Sequence, residues 1–324
     1  MVGVGNSLLH WRKELDMNQI LQRETTYKEA IGQALRVRYQ KPLFEKHLDY
    51  SESWNVTHSE IMDALFHYEL GKLSIPKAFG WRQVPLDVIT ETIQSPSYFD
   101  AFVSLLIAVQ VTMDHLSDSI TEEVSKEIYT NTKRFVIGAI HSDGTAIPEN
   151  TGARIIGHWA FISGSRYADW FVCSATIKSD DVNVKAGTRM FFVPAGQCRV
   201  LNTWDTLGMR GTGSNDFECQ DVWVSEKLSV NADLLKRAPA ERKTRKNVTG
   251  YYDLGTIVVL ATVCGIYGAS LELFRDSRKP SPNLGINSVV SEKVGWAFSL
   301  VCSAKLLLND AITLAILRCH LRIF

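Results

Sequence analysis

The chain has 324 residues, 45% of them hydrophobic, which is ample for a sizeable core and allows one to three domains. Its 35 Lys and Arg balance 35 Asp and Glu to a formal net charge of zero, which argues against an extended nucleic-acid footprint. Six scattered cysteines (Cys173, Cys198, Cys219, Cys264, Cys302 and Cys319) form no C-x-x-C pair, and the eight histidines are dispersed. That pattern speaks for reduced thiols in the cytoplasm, and against a disulfide framework or a metal site.

The first residues, Met1–Gln19, carry only a short apolar run before charge, so no secretory signal is read there and the triplets at Asn55 and Asn247 mean little as glycosylation sites. Tyr98–Met113 is apolar on most faces and too long for a strand, which predicts a buried helix. Just beyond it, His115 next to Asp114 reads as a surface pair at the helix end.

The pattern then changes. Trp170–Ile177 and Arg189–Pro194 are rich in residues that favour sheet, and the proline ends the second run. Between them Asp180-Asp181 falls in a hairpin turn, which removes the pair from consideration as catalytic carboxylates. Leu207–Asn215 holds Gly208, Gly211 and Gly213 and reads as a tight loop feeding the half-buried strand Phe217–Val224.

After the sheet, Lys236–Lys246 is a dense basic patch with two readings, a site for an anionic group and a solvated linker, of which the linker is the simpler. Gly250–Phe274 and Val289–Phe324 are long apolar helices. Within the first, Leu254–Leu271 is an uncharged run near the lower limit for a membrane span; its place between a sheet and a second helix reads as a bundle helix.

Two phrases carry most of the information. Gly157-His158-Trp159-Ala160-Phe161-Ile162-Ser163-Gly164-Ser165 and Trp204-Asp205-Thr206-Leu207-Gly208-Met209-Arg210-Gly211-Thr212-Gly213-Ser214 lie in this order and separation. Taken alone, Trp159 and Trp170 read as sheet core, Ser163-Gly164-Ser165 as a turn, and Arg210 to Ser214 as a glycine-rich turn with only a weak claim on phosphate. Taken together, the phrases resemble the acyl-CoA dehydrogenase superfamily.

The resemblance implies an α+β multidomain chain: an N-terminal helical domain over 1–133, a middle antiparallel β-barrel over 134–228 and a C-terminal helical bundle over 229–324. Family members continue past the second bundle helix, so the bundle is expected to be incomplete, with about half of it absent. The resemblance further implies a flavin, FAD or reduced FMN. Its contacts would be Trp159, Phe161, Ser163, Gly164, Arg210 and Ser214, with Phe161 beside the ring and Ser163 at its polar edge. A flavin needs an apolar, water-poor wall and a few donors at its electron-rich edge.

Within the superfamily, Trp159-x-Phe161-x-Ser163-Gly164 leans toward two-component monooxygenases, which use reduced flavin from a partner reductase on a small aromatic substrate. The dehydrogenase segment that contacts FAD across subunits is replaced by Arg275–Pro282, which favours reduced FMN or loosely held flavin. The alternatives are an acyl-CoA dehydrogenase, which would need a positioned carboxylate, with Glu272 or Glu292 named but no motif to fix either, and a truncated member without turnover. No catalytic residue is assigned. Gln110 and His115 lie near the place where some monooxygenases put a substrate-facing histidine. A homo-oligomer joined through the C-terminal helices is expected, with no membrane and no nucleic acid as partner.

Overall fold

The computed structural model describes residues 32, 40–79, 81, 83–131, 135–179, 187–235, 249–277 and 288–321. The N-terminal stretch Met1–Gln19, Asp180-Asp181, Lys236–Lys246 and Arg278–Pro282 lie outside them, so the readings made there find no structural counterpart.

Among the described residues five helices precede the sheet: α1 (Lys41–Trp54), α2 (Ser59–His67), α3 (Leu86–Gln94), α4 (Ala101–Asp114) and α5 (Glu122–Asn131). The apolar run around residue 105 becomes α4, with Phe102, Val103, Leu106, Ile107 and Val111 all enclosed. It lies between the sheet, which it meets at β1 (Phe135–Glu149), and a later helix, α7 (Tyr251–Ser277). Burial on several sides is why its sequence shows no polar stripe.

Asp100 starts α4 by accepting the amides of Phe102 and Val103 at 2.9 and 3.1 Å, satisfying two of the orphan donors of a first turn. Burial pushes its carboxyl up to about 6, against the pull of those two amides. The folded value exceeds the unfolded one, so the native state holds the extra proton, and stability falls as pH rises from about 4 to about 6. Asp100→Asn keeps the acceptor and removes the charge. It is expected to gain on the wild type by up to about 3 kcal/mol between pH 4 and 7, read from urea midpoints at the two ends; parallel curves for both proteins would refute it.

The sheet has seven strands: β1, β2 (Gly152–Ile162), β3 (Ala168–Ile177), β4 (Thr188–Pro194), β5 (Arg199–Val200), β6 (Asn215–Ser225) and β7 (Ser229–Asn231), in the order β5-β6-β2-β1-β3-β4-β7. All pairs are antiparallel except β1 with β3, which run parallel because β3 returns past its hairpin partner to the far side of β1. The sheet is open, a correction to the expected closed barrel. Its edge strands, two and three residues long, do not pair with each other.

Strong curling nevertheless brings separated strands together on one face, while the other face packs a second cluster around Val136, Val172 and Phe192. Phe171 of β3 stacks on Phe217 of β6 with ring centres 4.1 Å apart, although two strands separate them in the ladder. Trp159 of β2 stacks on Phe217 at 5.1 Å and donates its indole N–H to the Ser174 carbonyl of β3 at 2.9 Å.

At the end of α4, Asp114 and His115 are enclosed, which corrects the reading of them as a surface pair. The chain turns inward there through a 3-10 turn, His115–Asp118, packed against α5 and α7. Asp114 accepts from the Gln110 amide, whose oxygen in turn accepts the Val136 amide of β1 at 3.0 Å. Lys72 is buried beside Trp81 and Tyr129, with its ammonium 5.8 and 6.0 Å from the ring centres. Tyr129 donates to the Met113 carbonyl at 2.9 Å.

A short helix α6 (Ala232–Leu235) follows the sheet, and then α7 and α8 (Ser288–Leu321). Two spans, Tyr251–Ser277 and Val290–Ile316, are long and apolar enough to cross a membrane by length and composition. The inner face of α7 packs on α3, α4 and α8, as a core helix does. The outer faces carry Tyr267, Leu273, Trp296, Phe298, Leu306 and Leu307 to the surface.

Candidate functional site

The last residues of β2 and the glycine-rich loop before β6 meet at one corner of the sheet. Strand alternation would put Trp159 and Phe161 on the same face. They part company: Trp159 is fully buried, whereas Phe161 is 75% exposed.

A β-bulge separates them. Trp159 pairs with Phe217 and Ile162 with Asn215, so three steps on β2 face two on β6. Phe161 takes up the extra residue at φ 62°, a left-handed conformation that costs a side chain of this size on the order of 1–3 kcal/mol. Its amide is held by the Asp216 carboxylate at 3.2 Å, and its ring meets Trp204 edge-on with centres 6.2 Å apart. The other Asp216 oxygen lies 2.9 Å from His158 Nε2. Leu207 on the facing loop is also fully exposed.

Behind Phe161 lies a chain of hydroxyls. Ser163 and Ser214 are 2.8 Å apart, Ser214 and Thr212 2.7 Å, and Thr212 donates to the Met209 carbonyl at 2.8 Å. Gly164, at φ 76°, sends its amide to the Thr212 carbonyl, and Ser165 donates to the Gly213 carbonyl. The two phrases singled out in the sequence are thus zipped together. Phe161, Ser163, Gly164 and Ser214 gather at the corner, while Trp159 supports it from the core.

Arg210 does a different job from the one expected of it. Its guanidinium donates to the Glu52 carbonyl at 2.7 Å and the Thr206 carbonyl at 2.8 Å, and lies 3.4 Å from Asp205. It ties the loop to α1 and to itself. Thr57 adds a buried bond to the Gly211 carbonyl at 2.7 Å, and Asn55 one to the Trp204 carbonyl at 3.0 Å. Gly211 sits against the Phe102 ring of α4, where an added Cβ would come within 2.2 Å. The loop is therefore fixed on helices from both sides.

The corner fits a flavin in part. An apolar wall of exposed Phe161 and Leu207 with half-buried Trp204, beside buried hydroxyls, is the kind of lining such a ring needs. The Arg210 guanidinium is already committed and does not suit a phosphate contact. Glu272 and Glu292 are exposed on α7 and α8. A surface basin of about 680 Å³ lined by Ser119, Thr151, Arg189 and Glu226 lies at the opposite end of β2, and none of the motif residues line it.

Sequence spacing gave no sign of one cluster: His47, His58 and Glu60 bring ligand-type atoms within 4.8 Å of one another. Glu60 is 2.9 Å from His47 Nε2 and 3.1 Å from Lys46 Nζ, and His58 Nδ1 accepts the Glu60 amide as the cap of α2. With an ammonium on the carboxylate and one ring nitrogen in use, the cluster reads as an ion-paired helix junction.

No protein-family model matches the chain. A stretch of 217 residues, 66% of the chain, is 28% identical to indole-3-acetate monooxygenase of Acinetobacter baumannii and covers 54% of it, so the chain spans about half the length of that relative. Among solved structures, XiaF from Streptomyces sp. in complex with FADH2 and glycerol superposes with a TM-score of 0.84 at 19% identity, over 93% of this chain and 78% of that one. Butyryl-CoA dehydrogenase from Megasphaera elsdenii superposes at 0.73 with 15% identity, over 89% and 79%. The chain thus has an acyl-CoA dehydrogenase-like fold, and over two thirds of its length its sequence is similar to that of a monooxygenase.

Proposed function

We propose that this protein is the oxygenase component of a two-component flavin monooxygenase, hydroxylating a small aromatic substrate with molecular oxygen and reduced flavin delivered by a separate reductase. The observation that carries this reading is Phe161, exposed on a strained bulge beside the Ser163 and Ser214 hydroxyls. The similarity to a monooxygenase over two thirds of the chain supports it. The flavin, FAD or FMN, would supply oxygen activation.

The chain's own residues would bind and shield it. Phe161, with Trp204 at its edge, offers the apolar wall. Ser163 and Ser214 present hydroxyls to the polar edge, and the Gly164 amide keeps the two phrases in register. Trp159 and Arg210 act as supports, one from the core and one through α1. We read the chain as helical over 1–133, as the β-domain over 134–228, a family barrel represented here by the open curled sheet, and as bundle over 229–324. The apolar outer faces of α7 and α8 suit a cytoplasmic homo-oligomer.

Anaerobic titration with reduced FAD, reduced FMN and the oxidised forms tests the proposal. Reduced flavin is expected to bind more tightly than oxidised, with oxygen-18 from O2 entering an aromatic product. Phe161→Ala is expected to weaken binding by about tenfold, the value of one lost aromatic contact. Preference for oxidised FAD with no labelled product would favour the dehydrogenase reading, and the absence of any flavin binding would favour a member without turnover.

A further inference from the structure

At the β5 edge of the sheet the fold brings together three cysteines that the sequence scatters. Cys219 of β6 has its Sγ 3.4 Å from that of Cys198 and 3.9 Å from that of Cys173. Cys173 belongs to β3, across the core, and is fully enclosed; Cys198 is partly exposed just before β5.

The strand register separates the two contacts. Arg199 pairs with Glu218 and Val200 with Phe217, so one step further Cys198 stands opposite Cys219, in extended backbone at φ −110° and ψ 153°. The Leu201 amide bonds the Asp216 carbonyl at 2.8 Å, which makes that pair a hydrogen-bonded one. Counting back along the alternation, Cys198 and Cys219 form a non-hydrogen-bonded pair, where opposed Cα atoms lie about 4.5 Å apart and side chains come closest. That spacing lies within the roughly 4.4–6.8 Å a disulfide spans. Cys173 and Cys219 face each other between strands that are not neighbours, with β2 and β1 between them in the ladder.

We infer that Cys198 and Cys219 are a site of reversible oxidation, forming an intrachain disulfide when the protein meets hydrogen peroxide. Cys219, enclosed and in contact with both other sulfurs, takes the part of the nucleophile. Contacts with the Cys173 and Cys198 thiols hold it well below the ordinary thiol range, whereas the contact with Cys219 pushes Cys198 up and burial pushes Cys173 up. The Cys219 thiolate attacks peroxide; an S–O bond forms, the O–O bond breaks, and hydroxide leaves. The Cys198 sulfur, giving up its proton, then attacks the Cys219 sulfur; the S–S bond forms, the S–O bond breaks, and the hydroxyl leaves as water. In sum two thiols are oxidised and one peroxide is reduced to two waters. The bond would staple the two-residue strand β5, and with it the start of the Leu201–Ser214 loop, to β6.

The inference rests on the geometry of this edge and is independent of the flavin reading. The full-length protein, treated with hydrogen peroxide, blocked with an alkylating agent and digested without reductant, is expected to yield one peptide pair linking Cys198 to Cys219. Dithiothreitol should abolish the pair. Cys173→Ser should retain it and Cys198→Ser should lack it, with circular dichroism confirming that each variant folds. Alkylated Cys198 and Cys219 in the treated wild type, a Cys173–Cys219 link, or oxidation that stops at sulfinic acid would each overturn the inference. The wild-type map decides the matter even if a variant fails to fold.

Discussion

Lys72→Met is expected to fall progressively behind the wild type in stability as pH rises from about 5 to about 8.5. Burial pushes the Asp114 carboxyl up to about 8 even with Lys72 pulling it down, and burial pushes Lys72 below its ordinary range. Without Lys72, the carboxyl rises further. In both proteins the native state holds a proton that the unfolded chain releases near pH 4, so this carboxyl lowers stability by about 1.4 kcal/mol per pH unit, up to about pH 8 in the wild type and beyond it in Lys72→Met. In the wild type the buried lysine gives the opposite slope over its own window, because a depressed folded value means that the native state binds fewer protons than the unfolded chain.

The converse substitution separates this account from simple loss of packing. Asp114→Asn keeps an acceptor for the Gln110 amide but strands the ammonium, so this variant is expected to gain stability as pH rises while Lys72→Met loses it. Urea unfolding of both variants and the double variant at about pH 5, 7 and 8.5 checks the signs, and the double variant should recover most of the loss, to within about 1–2 kcal/mol. Two flat pH profiles would show that the pair is not the source. Because Gln110 bridges Asp114 to the Val136 amide, the same charges fix α4 on the first strand of the sheet.

Local signals made part of this legible in sequence. The run Tyr98–Met113 emerges as Ala101–Asp114 and Gly250–Phe274 as Tyr251–Ser277, because helices buried on several sides have no polar stripe to confuse the reading. The strands at residues 170, 190 and 220 carried β-branched and aromatic residues and appear within two residues of their expected bounds. β1 left no such trace: Gly138, Gly144 and Pro148 look like turn residues, and β1 is held by neighbours on both sides, β2 and β3.

The burial of Asp114 and His115 was invisible for a similar reason. Lys72, Tyr129 and Tyr251, which enclose this end of α4, come from distant parts of the chain. At the corner the motif phrases gave the right neighbourhood, and the long-range contacts set the roles. Asp216, on a different strand, holds the bulge that turns Phe161 out, and Glu52, on α1, takes up Arg210.

Gly144→Ala is expected to cost about 1–3 kcal/mol, and its cost should largely vanish in a Trp159→Phe background. Gly144 and Gly157 face each other across β1 and β2, and an added Cβ would come within 2.3 Å and 2.8 Å, respectively, of the Trp159 ring. Phenylalanine lacks the second ring of the indole, so the methyl finds room. Trp159→Phe alone is expected to cost about 2–4 kcal/mol, through the smaller ring and the Ser174 carbonyl left without its donor. A double-mutant cycle by urea unfolding measures the coupling; additive losses would mean that the glycines are required for something other than the indole. The result bears on the site because the same ring decides where Phe161 goes. With Trp159 filling the space over Phe217, a second inward aromatic two residues later has nowhere to pack. The bulge then becomes the cheaper solution, and it leaves Phe161 at the surface beside the hydroxyls.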